Sequence, residues 1–377
     1  MRIAMFTEVF LPKIDGVVTR VVRTLEHLAE LGHEVLLFAP GDPPATYAGH
    51  RVVRVRGVSL QFLYPELKVG IPTPNIARAM DAFQPHVVHA VNPIWLAAYG
   101  VLSAGRRDLP QLASFHTDVP NYTESLRIGW LRHPVEAWTR YLHNRSGVNL
   151  CTSDPMVERA REVGIRRVGL WPKAVDTVAY HPGHASAQMR ARLTDGVPQA
   201  PLVVYVGRMS REKNLDQLIE PMRRLRRRVP GVRLAMVGSG PQVEELKDQF
   251  DPAWTVFTGY MSGTQLAQAY ASADVFAFPS TTETLGLVAL ESMASQVPVV
   301  GARAGGVPFV IDDGETGFLV DPHDTEGWVD RLEQLLTDQC LRERMGVAAR
   351  KETERHSWRA ATEALVRFYN QAIQAHR

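Results

Sequence analysis

Short apolar runs alternate with segments of helical periodicity along this chain, and the alternation begins twice. Near the N-terminus, the run Arg2–Thr7 leads through a loop containing Gly16 into residues 18–29, where apolar side chains recur at helical spacing. A second apolar run, residues 34–39, follows. Because strand, loop, helix and strand in this order open a parallel sheet, the pattern predicts a doubly wound α/β fold.

The same alternation continues through both halves of the chain. In the first half, strands are predicted at 51–55, 86–90, 111–115 and 149–153, with a helix at 76–83. Beyond a polar stretch at 180–184, strands are predicted at 202–206, 233–237, 256–258 and 274–278, with helices near 215–228, 242–249 and 264–271. This restart predicts a second Rossmann-like unit.

The length of 377 residues is more than one ordinary hydrophobic core supports, so we expect two domains. We place the first at residues 1–175 and the second at residues 176–357. The segment 358–377 begins with a helical pattern and is expected to pack back on the first domain. Two successive Rossmann-like units predict a ligand cleft between them.

The stretch from Pro279 to Glu291 predicts an anion site. The apolar run 273–278 ends at Pro279, and helical spacing begins again at Leu287. The first N–H groups of a helix have no acceptor within the helix, and they favour an anion. Here these groups belong to Thr284, Leu285, Gly286 and Leu287. The flanking carboxylates of Glu283 and Glu291, the latter expected two turns into the helix, suit the hydroxyls of a sugar. Taken alone, the stretch is equally typical of a capped helix.

Basic residues follow the first predicted strand of the second unit. Arg208 and Lys213 come after Gly207, at the sheet edge where ligands of such folds bind. Two cations there suit a diphosphate and take the place of a metal ion. Gly238-Ser239-Gly240 follows the next strand and predicts a close-approach turn for a base or ribose, although one glycine turn alone is weak evidence.

A histidine ends a strand of the first unit. His116 follows the predicted strand 111–115, which places it at the carboxyl end of the sheet. Among the 13 histidines it is the best candidate for chemistry. The alternative is a structural histidine, which is the commoner case for a single His after a strand.

Composition excludes several classes of function. A net charge of +2 is too small to indicate a nucleic-acid partner. Cys151 and Cys340 lie far apart without metal-ligand spacing, so neither a disulfide framework nor a zinc site is predicted. No Asp-x-Asp cluster follows a predicted strand, and no signal-peptide core or run of 18 apolar residues occurs. We therefore expect a cytoplasmic protein without a metal.

Residues 121–145 mix aromatic and basic side chains. Four arginines, Arg127, Arg132, Arg140 and Arg145, stand among Trp130, Leu131, Trp138 and Tyr141, with only two acids. This composition is typical of an element that lies on an anionic membrane surface. An amphipathic helix with its tryptophans in the core is an equally good interpretation. The first 170 residues carry 19 Lys and Arg against 15 Asp and Glu, which fits the membrane alternative.

These motifs together resemble a retaining GT-B glycosyltransferase of the family-4 type, in which two Rossmann-like domains face each other across a cleft. The resemblance covers nearly the whole chain. It is carried by Asp15-Gly16, His116, Gly207-Arg208 with Lys213, and the pair Glu283 and Glu291 in E-x7-E spacing. The family often has two glycines in its first loop, where Asp15-Gly16 stands here.

The resemblance implies roles for these residues. Arg208 and Lys213 would bind the diphosphate of a nucleotide-sugar donor, Glu283 the sugar hydroxyls and Glu291 the ribose. His116 would contact the sugar and assist at the reaction centre, and Gly16 would contact the phosphate side. The second domain would bind the donor and the first the acceptor. Transfer would retain the anomeric configuration and need neither cofactor nor metal.

Several strings are similar to those of sulfolipid synthases, which move sulfoquinovose from UDP to diacylglycerol. They are residues 6–8 with 10–16, residues 64–68, residues 149–153 and residues 282–288. Asp118 departs from that subfamily, which tends to have a second His there, whereas related α-mannosyl- and glucosyltransferases have Asp. The resemblance thus implies a lipid acceptor and a peripheral place on the inner face of the cell membrane, and it leaves the sugar open.

Two rival functions use the same fold or ligand. A GT-B epimerase also binds UDP-sugars, but the E-x7-E pair argues against it. A nucleotide-sugar sensor would bind without transfer, and the presence of His116, Arg208, Lys213, Glu283 and Glu291 disfavours it.

Overall fold

The computed structural model describes residues 1–13, 15–59, 68–117 and 129–376. The chain divides into two compact units: unit 1 comprises residues 1–173 and 358–377, and unit 2 comprises residues 174–357. The chain therefore leaves unit 1 after Lys173 and returns to it at Trp358.

Unit 1 is built on an eight-stranded sheet with the order β10-β9-β8-β7-β1-β2-β4-β3. All neighbours are parallel except the short β3, which pairs antiparallel with β4. Strands β5 and β6 form a separate antiparallel pair. The strands are β1 (Arg2–Thr7), β2 (Glu34–Pro40), β3 (Thr46–Tyr47), β4 (His50–Val55), β5 (Gly57–Ser59), β6 (Lys68–Gly70), β7 (Val87–Val91), β8 (Gln111–Phe115), β9 (Val148–Cys151) and β10 (Val168–Leu170).

Helices cover both faces of this sheet. They are α1 (Gly16–Glu30), α2 (Pro74–Phe83), α3 (Leu96–Arg106), α4 (Arg132–Arg145), α5 (Asp154–Glu162) and, after unit 2, α13 (Trp358–His376). Successive side chains of a strand point to opposite faces, so Ile3 of β1 packs in one cluster with α1 and α13, and Phe6 packs in another with α2 and α3. A strand buried on both faces is apolar along its whole length, which explains the continuous apolar run at residues 3–6.

Unit 2 contains a six-stranded sheet with all neighbours parallel, in the order β13-β12-β11-β14-β15-β16. The strands are β11 (Leu202–Val206), β12 (Arg233–Val237), β13 (Thr255–Gly259), β14 (Val275–Phe278), β15 (Val299–Ala302) and β16 (Gly317–Val320). The chain builds the sheet outward from β11 in one direction, and then outward from β14 in the other. The order therefore reverses between β11 and β14, which is where α/β sheets of this type bind ligands.

The helices of unit 2 are α6 (Ala187–Leu193), α7 (Ile219–Arg228), α8 (Val243–Gln249), α9 (Gly263–Ala271), α10 (Leu287–Ala294), α11 (Thr325–Thr337) and α12 (Gln339–Thr353). The sequence prediction missed three of these helices, α6, α11 and α12, and placed another one wrongly. Residues 215–228 are not one helix, because a 3-10 helix, Leu215–Leu218, precedes α7. Pro221 explains the break, since it has no N–H to bond the carbonyl of Gln217 and its ring would clash there.

Several sequence predictions fall outside the described ranges. They concern Ile14, residues 64–67, residues 118–120 and residues 121–128 of the basic aromatic stretch. Among the residues that the structure does describe, no helix combines the length and the apolar character needed to cross a bilayer.

Candidate active site

In unit 2, the predicted site residues meet where the strand order reverses. Lys213 follows β11 and Glu283 follows β14, and these strands are neighbours in the sheet. The Lys213 ammonium donates to the Glu283 carboxylate, with 2.5 Å between Nζ and Oε1. Their side chains are 18% and 15% exposed, so the pair is held at the surface of the sheet edge without being sealed from solvent.

Hydrogen bonds between the two loops fix this pair. Asn214, in the left-handed region at φ 51°, donates from its side chain to Thr281 Oγ1 at 2.7 Å. Thr282 Oγ1 donates to the Glu212 carbonyl at 3.1 Å. A cation and a carboxylate are thus presented side by side, the first suited to a phosphate and the second to a hydroxyl.

Arg208 lies on a loop that is held by two glycines. The buried Tyr205 hydroxyl donates to the Arg208 carbonyl at 2.9 Å, and burial raises the pKa of Tyr205. Gly238 packs against Gly207 so closely that a Cβ at Gly238 would lie 1.9 Å from the Gly207 carbonyl oxygen, and its φ is +141°. Gly238 therefore serves the close packing of the loops after β11 and β12.

The predicted helix start at residues 284–287 is present. Gly286 is the N-cap of α10 at φ +91°, and Leu287 is the first helical residue. Gly306 supports the loop from the end of β15, since its N–H donates to the Glu283 carbonyl at 2.6 Å. The orphan N–H groups of α10 therefore begin beside Glu283, as an anion site requires.

Glu291 lies nearer the start of the helix than predicted. It is the fifth residue of α10, a little over one turn in, because the helix begins at Leu287 and Glu283 to Gly286 form a loop. The buried Tyr270 hydroxyl donates to Glu291 Oε2 at 3.0 Å. Burial, together with the Glu291 charge, raises the pKa of Tyr270 well above its usual range. One oxygen of this carboxylate is thus fixed by the protein.

In unit 1, His116 lies directly after β8 with little exposure. The backbone N–H groups of His116 and Thr117 both donate to Asn92 Oδ1, at 3.2 and 3.1 Å. The His116 ring meets Trp171 edge-to-face, with 5.5 Å between ring centroids. Burial lowers the pKa of His116 well below 6.5, and the nearby Arg20 charge lowers it further. The imidazole is therefore neutral at physiological pH.

Two acids after β1 have structural partners. Asp15 is the N-cap of α1, since its Oδ1 accepts from the Val18 N–H at 2.9 Å, and Gly16 is the first helical residue. Glu8 accepts from four backbone N–H groups at the start of α3, those of Ile94, Trp95, Leu96 and Ala97. Asp15 thus starts α1, whose N-terminal N–H groups include that of Gly16.

Family models and relatives match this chain over almost its whole length. The model for Glycosyltransferase Family 4 matches residues 14–179, and that for Glycosyl transferases group 1 matches residues 195–352. The chain is 38% identical over 371 residues to the sulfoquinovosyl transferase SQD2 of Arabidopsis thaliana, covering 96% of this chain and 72% of that protein. This chain belongs to glycosyltransferase family 4.

A second relative supports this assignment, and a solved structure shows the same fold. The transferase is 34% identical to a GDP-mannose-dependent alpha-mannosyltransferase of Mycolicibacterium smegmatis, over 99% of this chain and 98% of that protein. The crystal structure of Anabaena Alr3699/HepE in complex with UDP and glucose matches it with a TM-score of 0.80 at 19% identity, over 98% of this chain and 99% of that one. The predicted GT-B fold and the predicted class of enzyme are confirmed.

Several residues that support the candidate sites in the two units were not predicted from the sequence. Gly305-Gly306 after β15 gave a usable signal, because a glycine pair at a strand end marks a close approach of backbone. Tyr270, Asn92 and Glu8 gave none, since each acts on a segment that lies elsewhere in the sequence.

Proposed function

We propose that this transferase moves a sugar from a UDP-linked donor to a lipid acceptor such as diacylglycerol, with retention at the anomeric carbon. The proposal rests on one observation, the Lys213–Glu283 pair at the point of unit 2 where the strand order reverses between β11 and β14. Lys213 and Arg208 bind the diphosphate, Glu283 binds the sugar hydroxyls and Glu291 binds the ribose. His116 contacts the sugar.

The leaving group is stabilised without a metal. Negative charge develops on the diphosphate as its bond to the sugar breaks, and Arg208, Lys213 and the start of α10 supply positive charge there. The acceptor hydroxyl oxygen bonds to the anomeric carbon on the face from which the diphosphate departs. The electron pair of the broken bond stays on the diphosphate, which also receives the hydroxyl proton.

The transferred sugar is sulfoquinovose or a neutral hexose. SQD2 is named as a sulfoquinovosyl transferase, whereas the Mycolicibacterium relative is named as dependent on GDP-mannose. HepE was crystallised with UDP and glucose. An α-mannosyl- or glucosyltransferase acting on a glycolipid is therefore the second candidate.

A transfer assay tests the function. The protein is incubated with radiolabelled UDP-sulfoquinovose, UDP-glucose and GDP-mannose in turn, with diacylglycerol or a simple glycolipid, and the lipid and nucleotide fractions are analysed. We expect labelled lipid, in the same yield with EDTA. An epimerised sugar nucleotide, or binding without conversion, would overturn the proposal. Loss of activity in EDTA that Mg²⁺ or Mn²⁺ restores would contradict metal independence.

The acceptor is reached at an anionic membrane surface through an aromatic face of unit 1. Trp130 is 78% exposed, and Trp138 and Tyr141 are 39% and 47% exposed on α4. Trp138 and Tyr141 stack at 5.7 Å, and Arg145 lies over the Tyr141 ring. This exposure argues against a helix with its tryptophans in the core. An aromatic and basic helix face of this kind suits the interface of an anionic bilayer.

Replacing Trp130 and Arg145 by serine is expected to weaken membrane binding. One basic residue near an anionic surface contributes about 1 kcal/mol, so Arg145→Ser with Trp130→Ser should reduce binding at least about fivefold. Binding of the parent should also fall as salt rises. The measurement is co-sedimentation with liposomes that contain or lack anionic lipid.

The matched control changes an exposed apolar residue and an exposed arginine of unit 2, Val347→Ser with Arg355→Ser. This variant should bind as the parent does. If the Trp130 and Arg145 variant is folded and sediments like the control, the acceptor is reached by another surface.

A further inference from the structure

Three side-chain hydrogen bonds form a continuous chain that ends at His116. Tyr369 Oη lies 2.8 Å from His89 Nδ1, His89 Nε2 lies 2.9 Å from Ser114 Oγ, and Ser114 Oγ lies 2.8 Å from His116 Nε2. Tyr369 comes from α13, His89 from β7, and Ser114 from β8. The chain thus links the helix that returns from unit 2 to the candidate site residue of unit 1.

Every member of this chain is buried and neutral. Tyr369, His89 and Ser114 are fully buried, and His116 is nearly so. Burial lowers the pKa of His89 to about 3 and raises the pKa of Tyr369 well above its usual range. Each imidazole therefore carries one proton, and the position of that proton decides which nitrogen donates.

The direction of the chain follows from its Tyr369 end. A buried hydroxyl that has no acceptor destabilises the fold by the full cost of its desolvation, whereas an unused lone pair on a phenol oxygen costs little. Tyr369 therefore donates to His89 Nδ1, its partner in the structure. His89 then has its proton on Nε2 and donates to Ser114 Oγ. The Ser114 hydroxyl in turn donates to His116 Nε2.

We propose that Tyr369, His89 and Ser114 are positioning residues that hold His116 as the Nδ1–H tautomer. With Nε2 accepting from the Ser114 hydroxyl and Nδ1 protonated, neither ring nitrogen of His116 can take a proton from the acceptor hydroxyl. This inference rests on the proposed function. It agrees with a transfer in which the hydroxyl proton passes to the diphosphate, because no base is required at His116.

The His116 ring is also packed against aromatic side chains. The Trp171 ring lies against both His89 and His116, at centroid distances of 5.8 and 5.5 Å. The guanidinium of the buried Arg20 stacks over Trp171 at 4.2 Å, and it donates to the Pro172 carbonyl at 2.7 Å. Packing therefore sets the ring orientation, and the hydrogen-bond chain sets the tautomer.

The tautomers can be read by NMR without any assay of activity. Histidine is labelled with ¹⁵N in the full-length protein, and long-range ¹H–¹⁵N spectra separate Nδ1–H from Nε2–H rings. We expect His89 protonated on Nε2 and His116 on Nδ1. A His116 signal of the Nε2–H type in the parent protein would overturn the proposal, whether or not a sugar donor has been found.

Variants test whether the chain controls His116. Tyr369→Phe removes the first donor, and Ser114→Ala removes the link to His116. Each should shift the His116 signals towards the other tautomer and lower kcat about two- to tenfold, with KM for the nucleotide sugar unchanged. A purely structural role would move the melting temperature and leave the tautomer as it is.

The matched control is Tyr47→Phe, which removes another phenol hydrogen bond of unit 1, that to Glu26 Oε1 at 2.6 Å. It should leave the His116 signals and kcat unchanged. If Tyr369→Phe behaves like Tyr47→Phe in both measurements, the chain does not position His116. If no donor supports transfer, the proposed function fails while the NMR result still decides the tautomer.

Discussion

Lowering the pH from 8 to 5.5 should reduce the free energy of unfolding of unit 1, and the buried His89 and His143 together account for about 3 kcal/mol of this loss. His116 adds to the loss in the same direction. Burial lowers the pKa of His89 to about 3, that of His143 to about 4 and that of His116 well below 6.5. In the unfolded chain these rings titrate near 6.5. Their stabilisation is therefore complete above pH 6.5, and it is lost as the pH falls towards the folded pKa values.

Burial raises the pKa of Glu8, so this residue changes the free energy of unfolding with pH in the direction opposite to the histidines. A histidine variant separates the two contributions. His143→Gln should make the loss between pH 8 and 5.5 smaller by about 1.4 kcal/mol, because one titrating group is gone. The control His133→Gln changes an exposed ring and should leave the loss unchanged. Urea unfolding at both pH values gives the comparison, and equal losses in parent and His143→Gln would contradict the prediction.

Lys213→Ala is expected to weaken UDP binding by about 1.5–3 kcal/mol, or roughly 10- to 150-fold. The lost ammonium is a charged partner for the diphosphate, and its removal also leaves the Glu283 carboxylate facing the ligand without its ion pair. Negative charge would then repel the diphosphate. Calorimetric titration with UDP measures the effect.

The control for this prediction is Lys247→Ala. Lys247 is an exposed lysine of unit 2, paired with Glu244 on α8. Its loss changes the net charge by the same amount but leaves the loops after β11 and β14 intact. The affinity for UDP should therefore equal that of the parent protein. Equal affinities of the Lys213 and Lys247 variants would remove Lys213 from the site.

Many of the strands could be predicted because parallel strands covered on both faces are apolar throughout, but β10, β15 and β16 were missed. The predicted runs at 2–7 and 202–206 coincide with β1 and β11. The predicted helix at 215–228 was wrong in its first turn, where Pro221 prevents one continuous α-helix. Local composition favoured a helix there, and a single missing N–H decided the outcome.

The sites were predictable where a residue follows its own strand. Lys213, Glu283 and His116 each lie just beyond a strand, and the rule that ligands bind at carboxyl ends locates them from sequence. Their partners could not be found in this way. Tyr369 lies 280 residues from His89, and the fold alone brings them together. The roles of the site residues stay predictions until the variants are measured.

The return of the chain to unit 1 through α13 sets an order in which the protein is completed during synthesis. Unit 2 is contiguous, so all of its strands leave the ribosome before α13 does. The core of unit 1 is completed later, because its cluster around Ile3 and Leu25 also contains Leu365 and Tyr369. On the ribosome, the unit with Lys213 and Glu283 is thus finished before the unit with His116. The usual N-to-C order of domain folding is reversed here.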